Sequence, residues 1–304
     1  MMKVFNLLLL AVFMAANTVA SKWVGAQAHS WMPSQATAEA TQVDDLFSFL
    51  VAVGSFIFFS IAGLISYSIL TCRAPEGDFS DASAARGNAK IEILWTAIPT
   101  LLVLWVAAQS YKIYQEINIE GLTPVVHLHL PAISEPAYAA KATVRSEGKP
   151  AAEQIEVVAQ QWAWLFRYPG NVTSTELHLP VSQTVRLAMQ SQDVLHGFYI
   201  PEFRIKQDII PNRTITFTLT PLRTGKYQLR DSQFSGTYFS LMEADVYVES
   251  PAAYSQWLAG AAAGKPAPAT NPAFSEHQSQ PHSAPGSGWP TVAPAPPPVV
   301  NHPS

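Results

Sequence analysis

Two long apolar runs, Leu46 to Leu70 and Ile91 to Tyr111, decide what this chain can fold into. The first holds no charged residue, and the second holds only Glu92. A helix crosses the hydrocarbon core of a bilayer in about 20 residues, so either run can span one. Lipid offers peptide groups no hydrogen bonds, and an isolated apolar segment must therefore be helical. The polar stretch from Thr71 to Lys90 joins the runs, which makes them an antiparallel hairpin. That stretch carries Arg73, Arg86 and Lys90, whereas Lys22 is the only basic residue between the N-terminal apolar segment and the first run. The bias places the connecting loop in the cytoplasm and both outer flanks outside. Pro99 falls inside the second run, where a neighbouring helix can satisfy the carbonyl it frees.

Composition agrees. Of 304 residues 48% are hydrophobic and 13% charged, with a net charge of -4, which is too little charge for an ordinary soluble domain and leaves no basic face for nucleic acid. Cys72 is the only cysteine, which rules out an internal disulfide, a thiolate pair and an iron–sulfur set.

Residues 1–28 read as an export signal: Lys3, an apolar core from Val4 to Ala16, and small residues at Thr18-Val19-Ala20 and Ala26-Gln27-Ala28. Residues 29–45 form an outer segment and 46–114 the transmembrane hairpin. From 115 to 250 short β-type runs alternate with turns. They are Val125–Leu130, Gln154–Ala159, Ala163–Tyr168, Thr175–Leu179, Thr184–Met189, Ile215–Thr220, Lys226–Leu229 and Met242–Val248. Pro169-Gly170-Asn171, Pro211-Asn212 and Thr224-Gly225 punctuate them, a pattern that predicts a sandwich or Greek-key barrel. Residues 132–152 read as a flexible insertion, and 251–304, rich in Ala and Pro, as a disordered tail. His127 and His129 share a strand face, a weak sign of a metal site.

The segments KIEILWTAIPTLLVLW (Lys90–Trp105), QQWAWLFRYP (Gln160–Pro169), DVLHGFYIPEFRIKQDIIPNR (Asp193–Arg213) and the late loop YQLRDSQFSGTYFSLMEADVYV (Tyr227–Val248) together resemble subunit II of the haem–copper terminal oxidases. The resemblance covers roughly residues 45 to 250. It implies an α+β membrane protein, in which a two-helix hairpin precedes an extracytoplasmic cupredoxin-like Greek-key barrel. It also implies partners: a catalytic subunit I that holds haem and copper, a subunit III, and a bacterial energy-transducing membrane, plasma or thylakoid.

Copper-bearing members hold a dicopper centre, CuA, on the pattern H…C-x-E-x-C-G-x-x-H-x-x-M. Here His196 keeps the first histidine and Met242 the methionine, while Asp231 and Ser235 replace the cysteines, Gln233 the glutamate and Phe239 the second histidine. Copper centres of this kind need thiolate and imidazole ligands, so no metal and no cofactor is expected in this chain. Gln233 is also a poorer ligand for the magnesium that the family's glutamate helps to hold. His196 and Met242 read as remnants with structural roles, and Glu202, Asp208, Asp231 and Glu243 as a solvated acidic face. Glu92 matches a family glutamate at the mouth of a proton pathway into subunit I. Trp95, Trp162 and Trp164 match family tryptophans and are expected at a subunit interface.

The function implied is a non-redox subunit II. It would serve a complex that oxidises quinol and reduces oxygen to water with proton movement, the chemistry lying in subunit I. Within the family the text looks more like the copper-less subunit II of the cyanobacterial alternative respiratory terminal oxidase than like bo-type quinol oxidases. Two alternatives stand beside it: a membrane-tethered module for oxidase assembly or metal delivery, and subunit II of an atypical cytochrome c oxidase. A metal carrier would want more Cys, Met or His than the loop retains.

Overall fold

The computed structural model describes residues 2–73, 77, 87–117, 153–279 and 292–302. The insertion at 132–152, the run Val125–Leu130 with His127 and His129, and Arg86 lie outside the described residues. The chain divides into two compact units, residues 1–34 with 41–113, and residues 35–40 with 114–304.

The first unit consists of long helices: α1 (Met2–Ala28), α2 (Ala38–Thr71) and α3 (Ala89–Ile117). The last two coincide with the two apolar runs and are extended at both ends. Asn88 starts α3, its Oδ1 accepting from the backbone N–H of Lys90 at 3.1 Å. The signal expected over residues 1–28 falls on α1, and the helical segment Leu7–Trp31 is long and apolar enough to cross a membrane, as α2 and α3 are. The apolar core alone is too short for that, but α1 continues it through Asn17, which bonds to α2, and Ser21, whose Oγ donates to Asn17 Oδ1 at 3.1 Å. Asn17 Nδ2 donates to the Phe56 carbonyl at 3.1 Å and to Ser60 Oγ at 2.8 Å, and Ser48 Oγ donates to the Gly25 carbonyl at 2.7 Å. Such bonds hold helices together where the hydrophobic effect offers nothing. Gly25 permits the close approach: a Cβ there would meet Ala52 Cβ at 2.7 Å. The Phe49 ring packs against Trp105 at 4.8 Å, joining α2 to α3.

The second unit is a sandwich of two five-stranded sheets. Its strands are β1 (Glu153–Gln160), β2 (Ala163–Tyr168), β3 (Val172–Ser174), β4 (Leu177–Pro180), β5 (Val185–Ser191), β6 (His196–Ile200), β7 (Ile205–Ile209), β8 (Ile215–Leu219), β9 (Gly225–Asp231) and β10 (Glu243–Glu249). One sheet runs β3-β2-β1-β5-β8 and the other β4-β10-β9-β6-β7. Parallel pairing of β1 with β5 and of β4 with β10, among otherwise antiparallel neighbours, needs crossovers between the sheets. The inner faces meet in one core that includes Val157, Trp164, Phe166, Leu187, Phe198, Phe217, Leu229 and Val246. Residues 35–40 belong to this unit: the Ala36 N–H donates to the Glu202 carbonyl at 3.0 Å, and the Leu222 N–H to the Ala36 carbonyl at 2.8 Å.

Three strands went unread in the sequence. β3 is too short to signal. β6 is buried at four of its five positions and so shows no alternation. β7 alternates, but Gln207 occupies an inward position.

The segment after Ser250 differs from the disordered tail expected. It forms α4 (Pro251–Ala263), β11 (Ala267–Pro268), α5 (Pro272–Ser279) and β12 (Val299–Val300). Ser250 caps α4, accepting from the Ala253 N–H at 3.2 Å, and Pro251 takes the first turn. Tyr254, Trp257, Leu258 and Ala261 follow at helical spacing and face the core. That stripe gives the segment something to fold against.

Candidate functional site

His196 opens β6 and Asp231 closes β9, and pairing of these strands brings the early and late loops together. The Asp231 carboxylate is enclosed. Its Oδ1 accepts from the Gly197 N–H at 2.7 Å and the Gln233 N–H at 3.0 Å. Its Oδ2 accepts from Ser235 Oγ at 2.8 Å and lies 2.8 Å from His196 Nδ1. On the other side of the imidazole, Nε2 lies 2.9 Å from Asp193 Oδ1. Asp193 Oδ2 accepts from the Gln161 N–H at 2.6 Å, and Gln161 Nε2 donates to the Ser235 carbonyl at 2.6 Å. The His196 side chain is fully buried, and Asp193 opens to solvent.

Electrostatics follow from that geometry. Burial pulls the His196 pKa down, but hydrogen bonds and charge from Asp193 and Asp231 outweigh it, and the net shift is upward. Burial pushes the pKa of Asp231 up, yet His196, Gly197, Gln233 and Ser235 stabilise the carboxylate and the net shift is downward. Asp193 is likewise lowered, burial being outweighed by His196, Gln161 and Val194. The cluster is therefore an imidazole held between two carboxylates, which favour its protonated form.

The remaining loop positions are engaged elsewhere. Gln233 Nε2 donates to Asp208 Oδ1 at 2.7 Å. Phe239 packs edge-on against Phe234 at 5.2 Å, and the Met242 side chain lies in the core. The Met242 carbonyl accepts from Trp164 Nε1 at 3.1 Å and from the Asp231 N–H at 3.0 Å. Gly236 has a φ of 123°, and a Cβ there would strike the Trp162 ring. This donor set does not fit a dicopper thiolate centre: it offers no sulfur anion, and both nitrogens of His196 face carboxylates.

Two expectations about this region change. Trp162 and Trp164 are 1% and 2% exposed, so they serve the core of their own unit and offer almost no surface to a partner. Trp162 stacks edge-on against Tyr238 at 5.1 Å. The acidic face also breaks up, because Asp231 is buried while Glu243 engages Arg230 and Gln228. In the helical unit, Trp95 is exposed, and Glu92 lies exposed in the first turn of α3.

Sequence reasoning quoted Asp193 but gave it no role; its place three residues before His196 was the available signal. It also missed a second cluster, Glu176, His178 and His302, whose ligand atoms lie within 4.8 Å of one another. Glu176 and His178 stand two apart, but no spacing rule could join His302 to them.

Comparison with known proteins adds the following. Residues 22–113 match the family described as cytochrome c oxidase subunit II, transmembrane domain, and residues 171–249 match its periplasmic domain. The chain is similar to cytochrome c oxidase subunit 2 of Synechocystis sp., 33% identical over 273 residues that cover 83% of this chain and 80% of the relative. Cytochrome c oxidase subunit 2 of Thermostichus vulcanus is 31% identical over 269 residues, 79% of this chain and 81% of the relative. Quinol oxidase subunit 2 of Bacillus cereus is 25% identical over 221 residues, 70% of this chain and 64% of the relative.

Proposed function

The chain belongs to the cytochrome c oxidase subunit II family, and from that premise we propose that it is a non-redox subunit II of a quinol-oxidising terminal oxidase. As a family member it is a membrane-bound subunit of a terminal oxidase complex, with its β-domain outside the cytoplasm. The further reading rests on one observation: the positions that would carry bridging thiolates are Asp231 and Ser235, and both join a closed hydrogen-bond network around His196. CuA is lost on this reading. Electrons then have no acceptor in this chain, and the donor must reach haem in subunit I directly. A quinol dissolved in the membrane can do so, whereas a soluble cytochrome c would need a relay. Burial of Trp162 favours the same view, as does the bond at 2.6 Å from the Ala295 N–H of the tail to the neighbouring Gln161 carbonyl.

On this reading the hairpin buttresses subunit I, subunit III completes the complex, and the cupredoxin-like domain caps the outer face. Oxygen is reduced to water in subunit I, with proton translocation. Purified complex is expected to consume oxygen with a quinol and not with reduced cytochrome c, and to contain only the single copper of subunit I per oxidase. Robust cytochrome c turnover with additional copper would overturn the reading in favour of an atypical cytochrome c oxidase. Purification without any haem subunit would favour an assembly module.

Glu92 supplies a second test. Its carboxyl group sits in the first turn of α3, and an ionisable group at the end of a span is a candidate for proton uptake. Glu92→Gln is expected to leave the complex assembled while slowing oxygen turnover by about tenfold, equivalent to ~1.4 kcal/mol on the barrier. Unchanged turnover would remove Glu92 from the pathway.

A further inference from the structure

The second cluster lies away from the late loop, where the tail meets the sandwich. His178 is on β4, Glu249 ends β10, and Glu176 immediately precedes β4. His302 arrives from the last described segment, which is bridged to Ser174 and held by bonds from the Asn301 and His302 N–H groups to the Thr173 carbonyl at 3.0 and 3.1 Å.

His178 is arranged as metal-binding histidines are. Its Nδ1 lies 3.0 Å from Glu249 Oε2, and a proton shared there leaves the Nε2 lone pair directed toward Glu176, 3.4 Å away. A carboxylate on the far nitrogen is the usual partner of a ligating histidine, setting its tautomer and raising its basicity. The ring is also clamped flat, with Trp257 stacked at 3.8 Å on one face and Tyr247 at 4.8 Å on the other. A ring so held cannot rotate away, and pre-set orientation is what a tight site requires.

Distances among the ligand atoms make the second argument. Glu176 Oε2 lies 3.4 Å from His178 Nε2 and 3.5 Å from His302 Nε2. Both exceed the usual 2.7–3.2 Å range of hydrogen bonds. They match instead the ~3.3 Å edge of a tetrahedron whose centre lies about 2.0–2.1 Å from each ligand, as zinc does from His and carboxylate. Two imidazoles and one carboxylate form a donor set suited to zinc, with a fourth position for water. Charge also balances, since Glu176 and Glu249 together offset a divalent ion. Lys226, the nearby cation, is engaged by Asp245 at 2.8 Å.

We propose that Glu176, His178 and His302, with Glu249 orienting His178, form a zinc-class divalent cation site that fastens the C-terminal segment to the sandwich. The site is independent of the emptied loop at His196 and of the identity of the electron donor. It assigns the tail a role: the metal closes a long loop of chain onto the edge of the β-domain.

The test uses full-length protein in detergent, stripped with a chelator and titrated with zinc chloride under equilibrium dialysis. The wild-type chain is expected to take up one zinc, and cobalt(II) in its place to give the intense visible absorption of a tetrahedral site. His302→Ala, at a half-exposed position whose loss the fold tolerates, should weaken zinc binding at least about tenfold, and Glu249→Gln, which removes no ligand, should weaken it by about 10–100-fold. Zinc should also protect the C-terminus of the wild-type chain, and not of His302→Ala, from carboxypeptidase. Zinc uptake unaffected by both variants, uptake lost instead in His196→Ala, or no uptake by the wild type would each overturn the proposal.

Discussion

Asp231→Ala is expected to destabilise the β-domain by about 3–5 kcal/mol, the cost of stripping one partner from a buried ion pair. The carboxylate is wholly enclosed, and its removal leaves His196 Nδ1, two backbone N–H groups and Ser235 Oγ without their acceptor. Thermal unfolding of the full-length protein would read the loss directly, at roughly 2–4 °C per kcal/mol for a unit of this size. A midpoint within about 1 °C of the wild type, less than the loss of even one net hydrogen bond, would show the network to be dispensable. Asp231→Asn keeps an acceptor for the backbone and should cost less.

The same network predicts a stability window in pH. Asp193 and Asp231 are held below the usual carboxylate range, so what they contribute is present above that range and lost as pH falls through their lowered values. His196 is raised, so its contribution is complete below the ordinary imidazole value and lost as pH rises through the raised one. The unfolding midpoint should therefore form a plateau between these limits. Asp231→Asn should flatten the acid edge and draw the alkaline edge toward lower pH.

Ending the chain at Ser250 is expected to cost at least about 3–5 kcal/mol, the range for deleting one large aromatic side chain from a core. The truncation removes Tyr254, Ala261, Ala273 and Val300 from the buried set. It also uncovers Tyr168, whose ring meets Trp257 at 4.9 Å, and the His178 face on which Trp257 stacks. Buried Tyr168 has its phenol pushed well up by burial, a sign of how dry this corner is. Midpoint depression and new proteolytic sensitivity in the β-domain would both be seen. A truncated protein that unfolds at the wild-type temperature would mean the tail only rests on the sandwich.

Those elements also show what a single sequence can and cannot convey. α2 and α3 were legible because lipid leaves a long apolar run one option, and β2 was placed to the residue because its aromatic-rich run ends at the turn Pro169-Gly170-Asn171. The late loop was legible as a departure from a pattern: Asp231 and Ser235 stand out where sulfur belongs. How those side chains are used was not legible. The ring of Asp193, His196, Asp231 and Gln161 depends on three separate loops meeting, and none of these residues is unusual alone. α4 was hidden for a different reason. Its helical stripe and its Ser-Pro start are plain in the sequence, but the prolines beyond Gly264 coloured the reading of the whole segment.

Asp231 and Ser235 carry one more consequence, for how the protein matures. Outside the cytoplasm thiols are prone to oxidation, and a paired-cysteine site must be kept reduced until its ion is inserted. With oxygen-bearing side chains in those places and Cys72 as the chain's only thiol, the β-domain has no cysteine pair to keep reduced. On the proposed reading, the β-domain folds under oxidising conditions without the thiol protection that a paired-cysteine counterpart needs.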